Sequence, residues 1–379
     1  MISDVLRWSR NGWSKPFTEV DSDQTLVLAF GAPALVDDDA PIRALRDAFP
    51  RSVLVGCSTA GEILADQVLD HGLTVAVARF DDVRLTLETA EVADRDAAET
   101  GAALGARITA RDQDVNAVFV LSDGLAVNGS SLVEGLLDAL PTGAIVTGGL
   151  AADDDRFQRT WVIADGRAAT GCITAVGLSG PRLVVGHGSR GGWDIFGPER
   201  MITRSEGNVL YELDGQPALD LYRHYLGDRA SGLPATALLF PLAVRRSTAD
   251  TDTLVRTILG IDEETRSMRF AGDVPEGGLA QLMRANFERV IDGASSAAEI
   301  AAQPDLDETL AIAISCVGRR LVLGERTEEE LEATLDALGG RANLVGFYSY
   351  GEISPLGLGS CDLHNQTMTL TTLGERRLP

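Results

Sequence analysis

Hydrophobic positions fall into short unbroken runs that alternate with segments carrying apolar residues three and four apart, and the alternation repeats along the chain. The first run, Thr25 to Phe30, leads through a Gly/Pro turn to a helical segment, Pro41 to Phe49. A second run, Ser52 to Gly56, then opens into Cys57-Ser58-Thr59-Ala60-Gly61-Glu62-Ile63. The same plan recurs from Ala117–Leu121 through Ser130–Leu140 to Ala144–Asp154, and again from Thr309–Ser315 through Thr327–Leu338 to Leu344–Ile353. Unbroken apolar runs predict strands buried on both faces, whereas Leu132, Val133, Leu136, Leu137 and Leu140 mark one side of a helix. From strand start to loop glycine the three segments span 31, 31 and 37 residues. Three related strand-helix-strand units are therefore expected. The first and third share loop text, Gly56 to Ile63 against Gly346 to Ile353, and each is followed by a strand, Leu73–Ala78 and Met368–Leu373.

Between the units lie stretches that read as antiparallel, Val83–Ala90 and Thr160–Val176, the latter turning at Asp165-Gly166, a strong hairpin signal. A helix is expected over Ala218–Leu226, ended by Gly227, with a turn-rich boundary from there to Pro234. The pattern predicts an α/β fold of mixed α+β kind, with mixed sheets in two modules at about residues 20–227 and 228–379, after an N-terminal extension of residues 1–19.

Composition narrows the function classes. With 33 Lys+Arg against 56 Asp+Glu, the net charge of −23 repels phosphate backbones and anionic lipid, so neither nucleic acid nor a membrane surface is an expected partner. Apolar residues at 45% and charged residues at 23% are ordinary globular usage. No apolar run is long enough for a membrane span and Met1 to Pro16 has no apolar leader region, which gives a cytoplasmic expectation. Cys57, Cys172, Cys316 and Cys361 lie far apart without a C-x-x-C pair and are expected as reduced thiols. Lys15 is the sole lysine, and nothing around it suggests a Schiff base or a phosphate loop.

Four segments in order, Gly56–Glu62, Gly148–Asp153, Gly207–Tyr222 and Cys361–Leu370, resemble the FIST sensory family, with its N-terminal and C-terminal modules. The resemblance runs over nearly the whole chain from about residue 25. It implies a sensor of a small ligand, with amino acids suggested for the family. A stand-alone branch of similar length includes nitric-oxide-sensing haem proteins that control histidine kinases or cyclic-di-GMP enzymes. The expectation is thus a sensor without catalysis of its own, binding haem with nitric oxide as signal, and acting on a partner histidine kinase or cyclic-di-GMP enzyme; a homodimer is left open.

A haem iron needs an axial side chain, most often a neutral histidine. Of four histidines, His364 is the first candidate, because it sits between the Cys361 loop and a strand, with Asn365 beside it. His187 is the second, flanked by glycines that would let a planar group approach the backbone. His71 reads as a solvated turn residue, and His224 lies off the apolar face of its helix. Haem propionates would draw on Arg319 or Arg320. The competing reading is a ligand site at the repeated loops, where Cys57, Ser58, Thr59 and Glu62 in one unit and Ser349, Tyr350 and Glu352 in the other stand at strand C-terminal ends. Facing across a pseudo-two-fold, the carboxylates would suit the ammonium of an amino-acid-like metabolite. A third reading, a hydrolase with Cys57 as nucleophile and His364 as base, lacks a nucleophile-elbow motif.

Overall fold

The computed structural model describes residues 1–377 except 93–95, 248, 250–252, 341 and 356–360. Its body is built from three copies of one strand plan. The first comprises β1 (Ile2–Ser9), the short β2 (Gly12–Trp13), β3 (Thr25–Gly31), α1 (Ala40–Ala48), β4 (Val53–Ser58), a hairpin of β5 (Glu62–Leu64) and β6 (Gln67–Leu69), and β7 (Leu73–Arg79). The second comprises β8 (Arg84–Glu91), α2 (Ala97–Arg111), β9 (Ala117–Ser122), α3 (Gly129–Ala139), β10 (Ile145–Leu150), a hairpin of β11 (Val162–Ala164) and β12 (Arg167–Ala169), and β13 (Cys172–Ser179). The third opens with β14 (Leu183–Arg190) and is interrupted by an insertion of nine strands, β15 (Trp193–Ile195) to β23 (Leu279–Ala285), with helix α4 (Ala218–Leu226). It resumes with α5 (Phe287–Ala301), β24 (Thr309–Cys316), α6 (Val317–Leu323), α7 (Thr327–Ala337), β25 (Ala342–Ser349), a hairpin of β26 (Gly351–Pro355) and β27 (Cys361–His364), and β28 (Met368–Glu375).

The strand order is β4-β3-β7-β1 in one sheet, β10-β9-β13-β8 in the next and β25-β24-β28-β14 in the third. In each, the two strands of the expected strand-helix-strand unit pair in parallel and the flanking strands are antiparallel. Each sheet is then extended by a hairpin from another unit. The β11/β12 hairpin joins β4, β26/β27 joins β10, and β5/β6 joins β25, closing a cycle of three. The loops expected to face each other across a pseudo-two-fold therefore belong to a pseudo-three-fold arrangement.

Strand alternation explains why the runs are apolar throughout. Leu28 and Phe30 of β3, Phe119 and Leu121 of β9, and Ile312 and Ile314 of β24 point inward to one shared core. Their neighbours Val27 and Ala29 face a separate cluster with Ile42 and Leu45 of α1. Val118, Val120, Ala311 and Ala313 likewise face the layer that contains Leu132 and Leu136 of α3, Ala297 of α5 and Leu331 of α7. Asn128 and Asn286 accept backbone N–H groups at the starts of α3 and α5, satisfying donors left open at a helix N-terminus.

Residues 1–19 begin with β1, which pairs with β7 from Ile2 opposite Arg79 to Trp8 opposite Leu73 and so lies inside the first sheet. Gly227, at φ +58°, ends α4 within the insertion. No helix among the described residues is long and apolar enough to cross a membrane.

Candidate functional site

The three strands that end at the repeated loops each carry a glycine opposite the same point of the neighbouring strand. Gly56 pairs with Ala29, Gly148 with Val120 and Gly346 with Ala313. A Cβ at any of the three would lie 1.8 Å from that partner's carbonyl oxygen, so only glycine lets the strands approach this closely. Beyond the glycines the chain ends interlock. Ala60 N–H donates to the Tyr348 carbonyl at 2.8 Å, Ala152 N–H to that of Ser58 at 3.0 Å, and Tyr350 N–H to that of Leu150 at 3.3 Å. This is a closed ring in which each unit donates to another.

Around the ring sit the predicted hydroxyl and carboxyl groups. Thr59 Oγ1 donates to Glu62 at 2.8 Å, and the Gly72 N–H, just before β7, donates to the other oxygen at 3.3 Å. In the matching place, Ser349 Oγ donates to Glu352 at 2.7 Å, and the N–H and hydroxyl of Thr367, just before β28, donate at 3.2 and 2.9 Å. Burial pushes both carboxyls up to about 8, against the hydrogen bonds that favour ionisation, so they are largely protonated at neutral pH. Both carboxyls accept hydrogen bonds from their own loops and are buried, so in place of an open facing pair the structure shows two separately bonded groups. In the second unit Val162 holds the equivalent ladder position, opposite Cys57, where Glu62 faces Phe347 and Glu352 faces Gly149. There Asp123 takes over, accepting the Gly171 N–H just before β13 at 3.0 Å. The Ser122-Asp123-Gly124 text at a strand end was its only sequence signal.

The accessible part of this region is a row of alternating charge. Arg156 and Asp154, from the loop between β10 and β11, approach to 3.1 Å; Asp154 and Arg320 of α6 to 3.9 Å; and Arg320 and Asp70, from the turn before β7, to 2.7 Å. All three units contribute. Arg320 also donates to the Ala60 carbonyl in the ring and lies over the Tyr348 ring, 5.7 Å from its centre. Gly61 adopts φ +125°, a conformation L side chains rarely take, and a Cβ there would displace Arg320, standing 2.4 Å from its Nη1. Asp154 adopts φ +66° and Phe157 φ +51°, the left-handed region that costs non-glycine residues energy. Tyr350 secures this loop: its hydroxyl donates to the Asp153 carboxylate, and its ring stacks on Phe157 at 4.9 Å. Partial burial raises the Asp154 carboxyl above its ordinary value.

Beneath the row, Arg319 and Glu330 are wholly buried and paired at 2.8 Å, and Glu330 also accepts the Tyr348 hydroxyl at 2.8 Å and that of Ser315 at 3.1 Å. Arg319 is committed to Glu330 and to the Val290 and Gly191 carbonyls, and of the two arginines Arg320 alone reaches the accessible row.

The remaining predicted residues are dispersed. Cys57 points into the shared core, and burial pushes its thiol well up, so a protonated, packed sulfur stands where the hydrolase reading needs a nucleophile. Ser58 Oγ accepts the Trp161 N–H at 3.0 Å. Asn365 bridges the ring to the insertion, donating to the Tyr350 carbonyl at 3.2 Å and accepting the Thr257 N–H at 3.0 Å. His364 is buried beside it, with Nε2 2.9 Å from the Ser354 carbonyl oxygen, and desolvation lowers its pKa. His187 lies on β14 opposite Thr371 rather than in a loop. Its flanking glycines make room for α5, since a Cβ at Gly186 or Gly188 would stand 2.2 or 2.1 Å from the carbonyl oxygens of Ala301 or Ala297. His187 is half-buried, desolvation lowers its pKa, and no side-chain or backbone hydrogen bond engages its ring among the described residues. His71 and His224 are exposed. Among the described residues no group of three or more His, Cys, Asp or Glu is placed to hold a metal ion.

These features define a body of three interlocked units with hydroxyl, carboxyl and charged groups gathered at the strand ends. The FIST N domain matches residues 25–216 and the FIST C domain residues 218–355, and the chain belongs to the FIST family of signal-transduction sensors. The two matches meet inside the insertion, between β17 (Val209–Leu213) and α4. No curated protein matches the chain. Among solved structures, the cyanuric acid hydrolase from A. caulinodans aligns over 99% of both chains at 10% identity with a TM-score of 0.35. A second cyanuric acid hydrolase structure aligns over 99% of both at 12% identity with a TM-score of 0.32.

Proposed function

We infer that this sensor reads a small zwitterionic metabolite of amino-acid kind at the junction of its three units, and reports to a separate histidine kinase or cyclic-di-GMP enzyme. The observation that carries this reading is the row Arg156, Asp154, Arg320, Asp70, in which cations and anions alternate. A row of this kind matches a zwitterion better than a simple anion, because carboxylate and ammonium each find an opposite charge at close range. The carboxylate would take the unused N–H groups of Arg320, and the ammonium would sit against Asp154 and Asp70. Since the row draws on three units, a ligand there would bias how they pack, and Asn365 offers a route from the ring to the insertion. The net charge of −23 supports a partner with a basic surface. Thermal-shift measurement against the individual amino acids tests the reading: a saturable rise in Tm that Asp154→Asn abolishes is expected, and no rise with any of them contradicts it.

Haem with nitric oxide as signal is a second reading, and His187 favours it over His364. Ligation through His364 Nε2 would cost the buried Ser354 carbonyl its partner, whereas the His187 imidazole is neutral and uncommitted. Haem would supply an iron able to bind nitric oxide. Its test is a Soret band after reconstitution that His187→Ala removes and His364→Ala preserves; absence of the band refutes it.

A further inference from the structure

Strand β8 is the outer edge of the second sheet, paired with β13 from Arg84 opposite Ser179 to Glu91 opposite Cys172 without a bulge. Residues along an antiparallel strand alternate between bonding the neighbour and pointing away from it. Val92 N–H donates to the Gly171 carbonyl at 2.8 Å, whereas Cys172, opposite Glu91, turns its carbonyl to the Asp123 N–H on the far side at 2.9 Å. The even-numbered residues of β8 therefore bond β13, and Leu85, Leu87 and Thr89 turn their peptide groups outward.

The matching edge of the first unit has such groups engaged. Leu85, Leu87 and Thr89 correspond in register to Ser3, Val5 and Arg7 of β1. There Ser3 N–H donates to Glu308 at 2.5 Å, Val5 N–H to Asp4 at 2.9 Å and Arg7 N–H to Ser14 Oγ at 3.1 Å. On β8 the three N–H groups meet no acceptor among the described residues, and of the carbonyls only that of Thr89 is taken, by Arg107 at 3.0 Å. Leu85 and Leu87 are also left half-buried.

Helix α2 lies over this edge. Its Leu104 and Ile108 face the core, and α3 packs along one side, where Thr109 donates to the Ala139 carbonyl at 3.0 Å. At about 3.6 residues per turn, Glu99, Ala103, Arg107 and Ala110 then fall on the side away from α3. Arg107 on that side reaches Glu88 of β8 at 2.8 Å, and Ile108 lies over Gly177 of β13, so the helix is seated above the last two strands. Glu99 is exposed and makes no hydrogen bond or ion pair among the described residues.

We propose that β8 pairs with β8 of a second copy of this chain about a two-fold axis through Leu87, joining two second sheets into one and laying the α2 helices side by side. Leu87 then meets Leu87 of the copy, Leu85 meets Thr89, and the outward peptide groups form about six main-chain hydrogen bonds. A pairing centred on Glu88 would instead set two carboxylates opposite each other, which is unfavourable. Strands lie about 4.8 Å apart, so helices seated over β8 and β13 come within about 10 Å of each other, the distance of packed helices. Small side chains are needed between them, and Ala103 and Ala110 stand there. Because the helices run antiparallel, Glu99 of one approaches Arg107 and Arg111 of the other, which makes the contact self-complementary in charge as well as in hydrogen bonds. The surface is separate from the three-unit junction.

The test is sedimentation velocity of the full chain at micromolar concentration, where a dimer is expected. Leu87→Pro removes an N–H that faces away from β13, a change an edge strand tolerates, and Ala103→Glu places bulk and charge between the helices. Each should raise the dimer dissociation constant about tenfold or more while circular dichroism reports an unchanged fold. A monomer at every concentration up to the limit of solubility, or a dimer undiminished in either variant that keeps the fold, would overturn the proposal.

Discussion

Ala60 N–H and the Tyr348 carbonyl, 288 residues apart in sequence, are joined at 2.8 Å, and the same bond recurs between Ala152 and Ser58 and between Tyr350 and Leu150. Each of these bonds links the loop of one unit to the strand end of another, so no unit completes its loop alone. Arg320 fastens the first of the three by donating to the carbonyl of Ala60 itself. A perturbation at the Arg320 row is thereby placed on the element that joins all three units.

The three strand glycines should be equally intolerant. Gly56→Ala, Gly148→Ala and Gly346→Ala each push a Cβ to 1.8 Å from a backbone carbonyl oxygen, with no side chain to yield. Each is expected to cost about 2 kcal/mol or more, read from urea unfolding. Gly191→Ala, whose nearest neighbour is 3.8 Å away, should stay within about 0.5 kcal/mol. A loss confined to one of the three would break the equivalence of the units.

Stability should depend on pH through Glu62 and Glu352. Both carboxyls are pushed up to about 8 by burial, from an ordinary 4.5, so the folded protein holds protons that the unfolded chain releases. The stability they contribute is complete below about pH 4.5 and is lost as pH rises through about 8. Melting temperature should accordingly fall across this window, and fall less steeply in the double variant Glu62→Gln, Glu352→Gln. An identical slope in that variant would show that these groups do not titrate as described.

Removing one partner of the buried Arg319–Glu330 pair leaves an uncompensated charge in the interior. Arg319→Met is expected to cost about 3–5 kcal/mol in chemical denaturation. A loss below about 1 kcal/mol would mean that Glu330 is satisfied by the hydroxyls of Tyr348 and Ser315 alone.

Cys57, Cys172 and Cys316 are buried and burial raises all three thiols. Under native conditions Ellman's reagent should leave them unmodified over minutes and titrate them only after unfolding. Rapid native modification of Cys57 would favour the hydrolase reading.

The local plan was readable because it is written in short-range signals. Unbroken runs such as Leu26 to Phe30 lie between two packed faces, the Asp165-Gly166 turn has positive φ at both residues, and the GEI text marks both Glu62 and Glu352. What was hidden is the set of partnerships. A hairpin as short as Glu62–Leu69 carries nothing that says it will pair with β25, more than 270 residues away, and Val162 gives no sign of standing where two glutamates stand elsewhere. β1 was obscured because Asp4 and Arg7 interrupt its apolar pattern, although Leu6 is buried. The site residues followed the same rule. Thr59 and Glu62, like Ser349 and Glu352, lie within one short loop and so stand out together in the sequence, while Arg320, Asp70 and Asp154 are brought together only by the cycle.

The most direct test is a calorimetric titration of the full chain with the individual amino acids, followed by the same titration of Arg320→Ala and Asp154→Asn with whichever binds. At least one amino acid is expected to bind saturably, with affinity falling about tenfold or more in both variants while circular dichroism shows the fold retained. Failure of every amino acid to bind, or undiminished affinity in the variants, would contradict the account of the three-unit junction as the sensing site.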